Sequence, residues 1–495
     1  MARFVALEEI PKMIPDGVTI WVSGCGGGIN DPDLLFEAIE KAFLETGHPR
    51  DLVLCHSAGI GDKHGRGVDR FAHKGMVRKV IGSHWTWSVG LQEMAQNNEI
   101  EAYVLPQGVM TELIRDIAAH RPGLLTTVGI GTFIDPRLEG GRMNAISKDV
   151  LSEVVTIDKK EYLLYKSFPV DVAIFRASYA DEGGNVSFSQ EGVLSEALSQ
   201  CQAAKNSGGI SLCQVKMQVK GKLNPYEVTV PSPLIDAIAI CPAQRLSYGI
   251  EKDASVVESS GPELVDVEKA SFPVAKQVIA RLVAKELRDG EIVNLGFGLP
   301  SLVGSMIRHD ARLSHLKFTL EQGIWGGIPL TGPNFGIAYY PDAIVPEGNQ
   351  FDFYDGGGID TAVLSFAEFD EKGNVNVSKI SGKVNGVGGF INIASNAKKV
   401  IFVGTFTTQG LEVQKQGKGI AITKEGRIHK LVKQVAQCSF NGQEALKKGQ
   451  QVLFVTERAC FSLCPEGVVL VRVTEGVDYE TSILGAMDFV PIIRS

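Results

Sequence analysis

Residues 171–189 read DVAIFRASYADEGGNVSFS, and residues 360–378 read DTAVLSFAEFDEKGNVNVS. At a constant offset of 189 the two windows share Asp171/Asp360, Ala173/Ala362, Asp181/Asp370, Glu182/Glu371, Gly184/Gly373, Asn185/Asn374, Val186/Val375 and Ser189/Ser378. Eight identities in nineteen ungapped positions mark related segments. A period this long points to two similar domains in one chain rather than to a solenoid.

A second echo supports the duplication. Asp16–Gly26 (DGVTIWVSGCG) resembles Asp289–Gly298 (DGEIVNLGFG), now at an offset of 273. Each is a turn, an apolar strand and a Gly-x-Gly corner, with a helix expected next. In the first half Asp31 can cap that helix, Pro32 suits its first position, and Leu35, Ile39 and Phe43 follow at helical spacing. In the second half Pro300 leads into Leu302, Val303, Met306 and Ile307.

Outward from these repeats, short apolar strands alternate with amphipathic helices. Residues 52–54, 102–105, 172–175, 237–240, 400–403 and 452–455 read as buried strands; Val274, Val278, Ile279, Leu282, Val283 and Leu287 mark one helix face. The pattern predicts an α/β protein: a tandem duplication of two similar open domains with mainly parallel sheets. Residues 241–262, rich in Pro, Gly, Ser and charge, read as a linker. The expected division is therefore residues 1–240, the linker, and 263–495.

With 495 residues the chain has ample core for two domains. Its net charge of −8, with no Lys/Arg cluster interleaved with aromatics, argues against nucleic acid as a partner. The eight cysteines form no CxxC and read as free thiols in a reducing compartment. The opening MARFVALEEIPKMIPDG has a proline and acids where a signal peptide needs an apolar run, and no stretch is long enough to span a bilayer. A cytoplasmic protein with no membrane partner is expected. No HExxH or comparable metal spacing and no GxSxG elbow is present, so no metal is expected.

Three segments can carry chemistry. Gly296-Phe297-Gly298-Leu299-Pro300 is a corner where backbone N–H groups could meet an anion, although Ser301 stands where a GxGxxG fingerprint needs glycine. Ligand binding and a tight structural turn both stay open there. Residues 317–327 (KFTLEQGIWGG) read as a strand ending in Glu321 and a glycine-rich bend, at the end of a sheet where α/β sites form. The first half offers a loose counterpart in Thr126–Gly131; matching Gly131 to Gly323 places Gly129 opposite Glu321. Residues 384–390 (VNGVGGF) cluster glycines that could present N–H groups to one oxygen, or form a plain loop. Gln107, in Pro106-Gln107-Gly108, could place an amide in a cleft or simply end a strand. His84-Trp85 reads as a packed core pair.

Taken together, FTLEQGIWGG, VNGVGGF, VNLGFGLP, FDFYDGGGID (351–360), LPQG (105–108), VGIGTFIDPRLEGGRMN (128–144), TERACF (456–461) and Pro465-Glu466-Gly467 resemble the family I coenzyme A transferases over nearly the whole chain. The likeness is to the single-chain acetate, propionate and 3-oxoacid type, in which α-like and β-like halves are fused. The resemblance implies the CoA-transferase fold and a nucleophilic Glu321. That carboxylate would pass through an acyl-glutamyl anhydride and a glutamyl-CoA thioester while CoA moves between a short-chain acyl-CoA and an acid of the acetate, propionate, butyrate or acetoacetate class. It further implies that Gln107 orients the acyl carbonyl and that Gly388 and Gly389 donate N–H groups to the oxyanion or to CoA. Gly296, Phe297, Gly298, Leu299, Asn385 and Gly386 would border CoA. No cofactor beyond the substrate CoA is implied, and a homo-oligomer, dimer or tetramer, is expected. Two other readings use the same residues: an acyl-CoA hydrolase, and a CoA-binding regulatory protein without chemistry.

Overall fold

Strands rich in Val, Ile and Ala, apolar on both faces, suit a parallel sheet covered by helices. A computed structural model describes residues 2–261, 272–307 and 310–494. It divides into two compact units.

The first unit holds an eight-stranded parallel path. Its strands are β1 (Arg3–Val5), β2 (Thr19–Val22), β3 (Leu52–His56), β4 (Val77–Gly82), β5 (Glu101–Tyr103), β6 (Val172–Ala180), β7 (Ile210–Gln218) and β8 (Ala237–Ile240). They lie in the order β1-β8-β7-β6-β2-β3-β4-β5. Helices α1 (Asp33–Thr46), α2 (Val89–Gln96), α3 (Gln107–Ala118) and α4 (Ala197–Asn206) belong to this unit. Phe175, Ala177, Cys213, Val215 and Ile238 bury against Ala197 and Cys201 of α4.

The second unit contains β9 (Ile292–Leu295), β10 (Lys317–Leu320), β11 (Thr361–Ser365), β12 (Lys399–Val403), β13 (Gln451–Val455), β14 (Ala459–Cys464), β15 (Gly467–Val473) and β16 (Ile492–Ile493). Their order is β10-β9-β11-β12-β13-β14-β15-β16. The first four steps of that path from β10 to β13 are parallel. The face formed by Ile279, Leu282 and Val283 of α5 (Val274–Ala284) and by Val303 and Ile307 of α6 (Leu299–Ile307) packs on Val293, Leu295, Val363 and Ile401.

The shared residues make the same bonds in both units. Asp171 accepts from the Thr19 N–H at 2.7 Å, and Asp360 from the Ile292 N–H at 2.9 Å. Asp181 accepts from the backbone N and Nδ2 of Asn185, both at 2.9 Å; Asp370 does so from Asn374, both at 3.0 Å. Gly184 and Gly373 supply the positive φ, +82° and +75°, that the intervening turn needs. Asp16 and Asp289, at the paired Asp-Gly turns, each accept from a histidine, His48 and His315. The repeat is therefore a scaffold device: a carboxylate satisfies the N–H at a strand start, and an Asx turn closes a hairpin.

The units differ from the expected cut in the chain. Residues 321–352 and 381–392 group with the first unit, as do residues 241–260. The supposed linker is packed because its polar residues find buried partners: Gln214 donates to Gln244 at 2.9 Å, and Arg176 donates to the Leu246 carbonyl at 2.9 Å. Residue 262 and residues 263–271 of the second expected domain lie outside the described residues. Asp31 also does not cap α1. Its carboxylate accepts from Tyr248 Oη, and Gln214 Oε1, reaching from β7, accepts from the N–H groups of Leu34 and Leu35 instead.

Candidate active site

The site grows from the carboxyl end of β10. The chain leaves that strand at Glu321 and turns at Gly323, whose φ of +97° no side-chain-bearing residue adopts cheaply. The Glu321 carboxylate receives the Gln322 amide at Oε1, 3.1 Å away, and the Gly389 backbone N–H. Burial pushes its pKa up to about 7, against the opposing pull of those two donors.

Gly388 shapes the space in front of this carboxylate. A Cβ there would stand 3.4 Å from Gln107 Oε1, 3.9 Å from Glu321 Oε1 and 4.0 Å from His84 Cδ2. Its φ is +54°. A glycine thus keeps open a small volume bounded by an amide, a carboxylate and an imidazole. The loop is held by main-chain bonds. The Val387 and Gly388 N–H groups donate to the Ser83 carbonyl at 2.7 and 3.0 Å, Trp85 N–H donates to the Asn385 carbonyl at 2.8 Å, and Gln107 N–H donates to the Gly388 carbonyl at 2.9 Å. Gln92, on α2, adds bonds to Val384 O and Asn385 Oδ1.

Gln107 is the first residue of α3, where Pro106 fixes the entry of the chain. Its Nε2 donates to Glu347 Oε1 at 2.5 Å. Glu347 opens α7 (Glu347–Asp355) and is buried. A second buried carboxylate, Glu196, accepts from Ser57 Oγ at 2.5 Å and Trp21 Nε1 at 3.1 Å, both at Oε1. Burial raises the pKa of Glu196, and these two donors lower it. Burial drives the Cys25 thiol well upward, with Glu347, Asp31, Glu321 and Glu196 adding to the effect, so it stays an un-ionised thiol. Burial lowers His84 to about 4, leaving a neutral ring at neutral pH.

The expected residues fall into three groups. Gln107, Glu321, Gly388 and Gly389 converge in the first unit. Asn385 and Gly386 clamp the loop against residues 83–92; Gly386 forms a β-bridge with His84. Gly296, Phe297, Gly298 and Leu299 belong to the second unit. The Gly388 N–H differs from expectation, because it is spent on Ser83, whereas the Gly389 N–H is aimed at the Glu321 carboxylate itself. The proposed match of Gly129 to Glu321 also gives way. Thr19 pairs with Val53 and Ile292 pairs with Lys317. With Thr19 and Ile292 equivalent, four residues onward Ser57 is the counterpart of Glu321. Strand register decides this, and the loose glycine pattern at 126–131 did not contain it.

Sequence reasoning missed Glu347, Glu196 and the site-lining role of His84. Glu347 sits in Val-Pro-Glu-Gly-Asn at no fixed spacing from Glu321, and Glu196 lies 125 positions upstream of it. No cluster of His, Cys, Asp and Glu among the described residues could hold a metal ion. No helix among them is long and apolar enough to cross a membrane.

Comparison with known proteins completes the assignment. Residues 6–240 match the family described as coenzyme A transferase. The chain is 40% identical over 505 aligned positions to the caffeate CoA-transferase of Acetobacterium woodii, covering all of this chain and 96% of that protein. It is 38% identical to the acetate CoA-transferase YdiF of Escherichia coli K12, covering 99% of this chain and 92% of that one. The crystal structure of YdiF from E. coli O157:H7, an acyl-CoA transferase solved as a thioester complex with CoA, superposes with a TM-score of 0.94 at 36% identity, over all of this chain and 94% of that one. With full-length relatives at this identity, a matching fold and an intact carboxylate site, the chain belongs to the coenzyme A transferase family, in its fused single-chain form.

Proposed function

We propose that the enzyme moves CoA between a short-chain acyl-CoA and a free carboxylic acid through covalent intermediates on Glu321. One observation carries this reading: a half-buried glutamate, held by the Gly389 N–H, borders a volume that Gly388 keeps open beside Gln107. A carboxylate is the fitting nucleophile, because exchanging a thioester for a carboxylate through an anhydride keeps the intermediates close in energy, without ATP.

Glu321 attacks the thioester carbonyl carbon. The C–S bond breaks, CoA thiolate leaves, and an acyl-glutamyl anhydride remains. The thiolate then adds to the glutamyl carbonyl, and the acyl group departs as a carboxylate, leaving glutamyl-CoA. The acceptor acid reverses both steps. In the second step negative charge develops on the Glu321 oxygen, where the Gly389 N–H is already aimed; a donor fixed before the reaction lowers that barrier without reorganisation. Phe297 and Gly298, the exposed residues of the corner at 296–299, are proposed to contact CoA.

The solved relative's thioester complex supports this reading, and the relatives named for acetate and caffeate set the acids to compare first. The test is intact-mass analysis after incubation with acetyl-CoA and no acceptor. A CoA adduct at Glu321 is expected. Rapid CoA release with free acetate and no adduct would establish a hydrolase, and neither product would leave a binding protein. A panel of acyl-CoA donors against acetate, propionate, butyrate, acetoacetate and caffeate then ranks the acids.

A further inference from the structure

The amide of Gln107 is turned the wrong way for the role proposed for it. Its Oε1 borders the open volume at Gly388, as Glu321 Oε1 does, while its Nε2 is committed to Glu347. A carbonyl oxygen cannot donate to an acyl oxygen. A half-turn about the terminal torsion of Gln107 exchanges the two ends. It places N–H groups in the volume and Oε1 against Glu347, an arrangement that works only if Glu347 brings a proton to the contact.

The surroundings of Glu347 favour that proton. Glu196, from the segment before α4, and Glu321, after β10, both act on it as like charges, and Cys25 after β2 adds only a neutral thiol. Arg115 of α3 lies near Gly348 but pairs with Asp352 at 3.0 Å, and among the described residues no cation pairs with Glu347. Ser57 and Trp21 both donate to Glu196, which stabilises its ionised form. With two donors on Glu196 and one on Glu347, the balance favours charge on Glu196 and the proton on Glu347. Burial first, then the charge on Glu196, raises Glu347 well above the ordinary carboxylate range, while Gln107 opposes the shift.

We propose that Glu347 works as a protonated acid that donates its O–H to Gln107 Oε1 and so turns the Gln107 N–H groups onto the acyl oxygen. Glu347 is then a positioning residue acting through Gln107, and the inference rests on the transferase reading of Glu321. Loss of its proton swings the amide back to the orientation seen here and replaces a donor by an acceptor in the site.

The experiment measures kcat and KM from pH 6 to 10 for wild type, Glu347→Gln, Glu347→Ala, Gln107→Ala and Glu321→Ala, with a melting temperature for each. Glu347→Ala should lose on the order of 10- to 100-fold in kcat, less than the roughly 10²- to 10³-fold for deleting an oxyanion donor outright because Gln107 is turned rather than removed, with KM changed by less than about threefold. Glu347→Gln keeps an N–H donor toward Gln107 Oε1 at every pH. It should recover most of that loss and lack the alkaline fall of the wild type. The proposal is overturned if Glu347→Gln loses as much as Glu347→Ala, or if it keeps the wild-type alkaline fall. Should Glu347→Ala fail to fold, the pH profile of Glu347→Gln decides alone. Transfer at the normal rate by Gln107→Ala, with Glu321→Ala inactive, removes this proposal and spares the transferase reading; transfer by Glu321→Ala removes both.

Discussion

The two strand-to-helix corners began as copies and now do opposite things. The first, Cys25-Gly26-Gly27-Gly28 after β2, is filled by the chain itself. Gly26 donates to the Gly59 carbonyl at 2.7 Å and Gly27 to the Pro333 carbonyl at 2.8 Å, while a Cβ on Gly28 would stand 2.6 Å from the Tyr248 ring. In the second, Gly296-Phe297-Gly298 after β9, Gly296 packs against Leu364 but Gly298 is open. Nothing lies within 4 Å of where a Cβ on Gly298 would stand, and Phe297 is 44% exposed. The neighbouring strands diverge in the same sense: β3 is followed by Ser57, a hydrogen-bond donor to Glu196, and β10 by Glu321. Duplication preserved the Asp-based scaffold; one copy spends its glycines on packing, and the other keeps Gly298 uncrowded and carries the proposed nucleophile.

The largest test of that division is Glu321→Ala. Removing the proposed covalent nucleophile should lower kcat on the order of 10⁴-fold or more, with the circular dichroism spectrum unchanged. Loss of the mass adduct with acetyl-CoA should accompany it. A variant that still transfers at near the normal rate would return Glu321 to the same standing as Ser57. Next comes Gly388→Ala, whose methyl group would enter the volume between Gln107, Glu321 and His84 on a backbone at φ +54°. A displacement of about 1 Å at a reacting centre can cost on the order of 100-fold in rate, so kcat should fall by about that factor.

The fold was legible because its signals are local. The DExGN segments, the Asp-Gly turns and the apolar strands each report on a few consecutive residues, and the structure gives Asp181/Asp370 and Asp171/Asp360 matching partners. Glu321 and Gln107 were legible through motifs. What stayed hidden depends on residues distant in the chain. Glu347 meets Gln107 across 240 positions and Glu196 meets Ser57 across 139, and no periodicity encodes such pairs. The grouping of residues 321–352 and 381–392 with the first unit was hidden for the same reason: composition does not change where the chain crosses from one unit to the other.

A third test uses the proton on Glu321. With its pKa raised from the ordinary 4.5 to about 7, the folded protein binds this proton more tightly than the unfolded chain. The associated stability is fully present below about 4.5 and lost as pH rises through 7. Catalysis runs the other way, since only the carboxylate attacks. The rate at limiting acyl-CoA should rise with pH through about 7, ahead of the alkaline fall assigned to Glu347. Glu321→Gln should therefore melt higher than wild type at pH 8, by an amount on the order of 1–3 kcal/mol, with little difference at pH 5. An equal melting temperature at both values would mean that the carboxylate is better solvated than this geometry implies, and the contrast with Ser57 would lose its electrostatic half.

The smallest effects come from adding one methyl to each corner. In the first, a Cβ on Gly27 would stand 2.8 Å from both the Pro333 Cβ and its carbonyl oxygen. Overpacking against backbone should cost about 1–3 kcal/mol, read as a lower melting temperature with KM for acyl-CoA nearly unchanged. In the second, Gly298→Ala has room, and only its φ of +84° resists, costing about 1–2 kcal/mol. Its signature lies in KM: if the backbone here is kept bare for CoA, a methyl group in its path should raise KM several-fold while kcat with saturating acyl-CoA holds. The contrast fails if Gly27→Ala moves KM as far as Gly298→Ala does, because a corner already filled by Pro333 and Tyr248 has no ligand to displace.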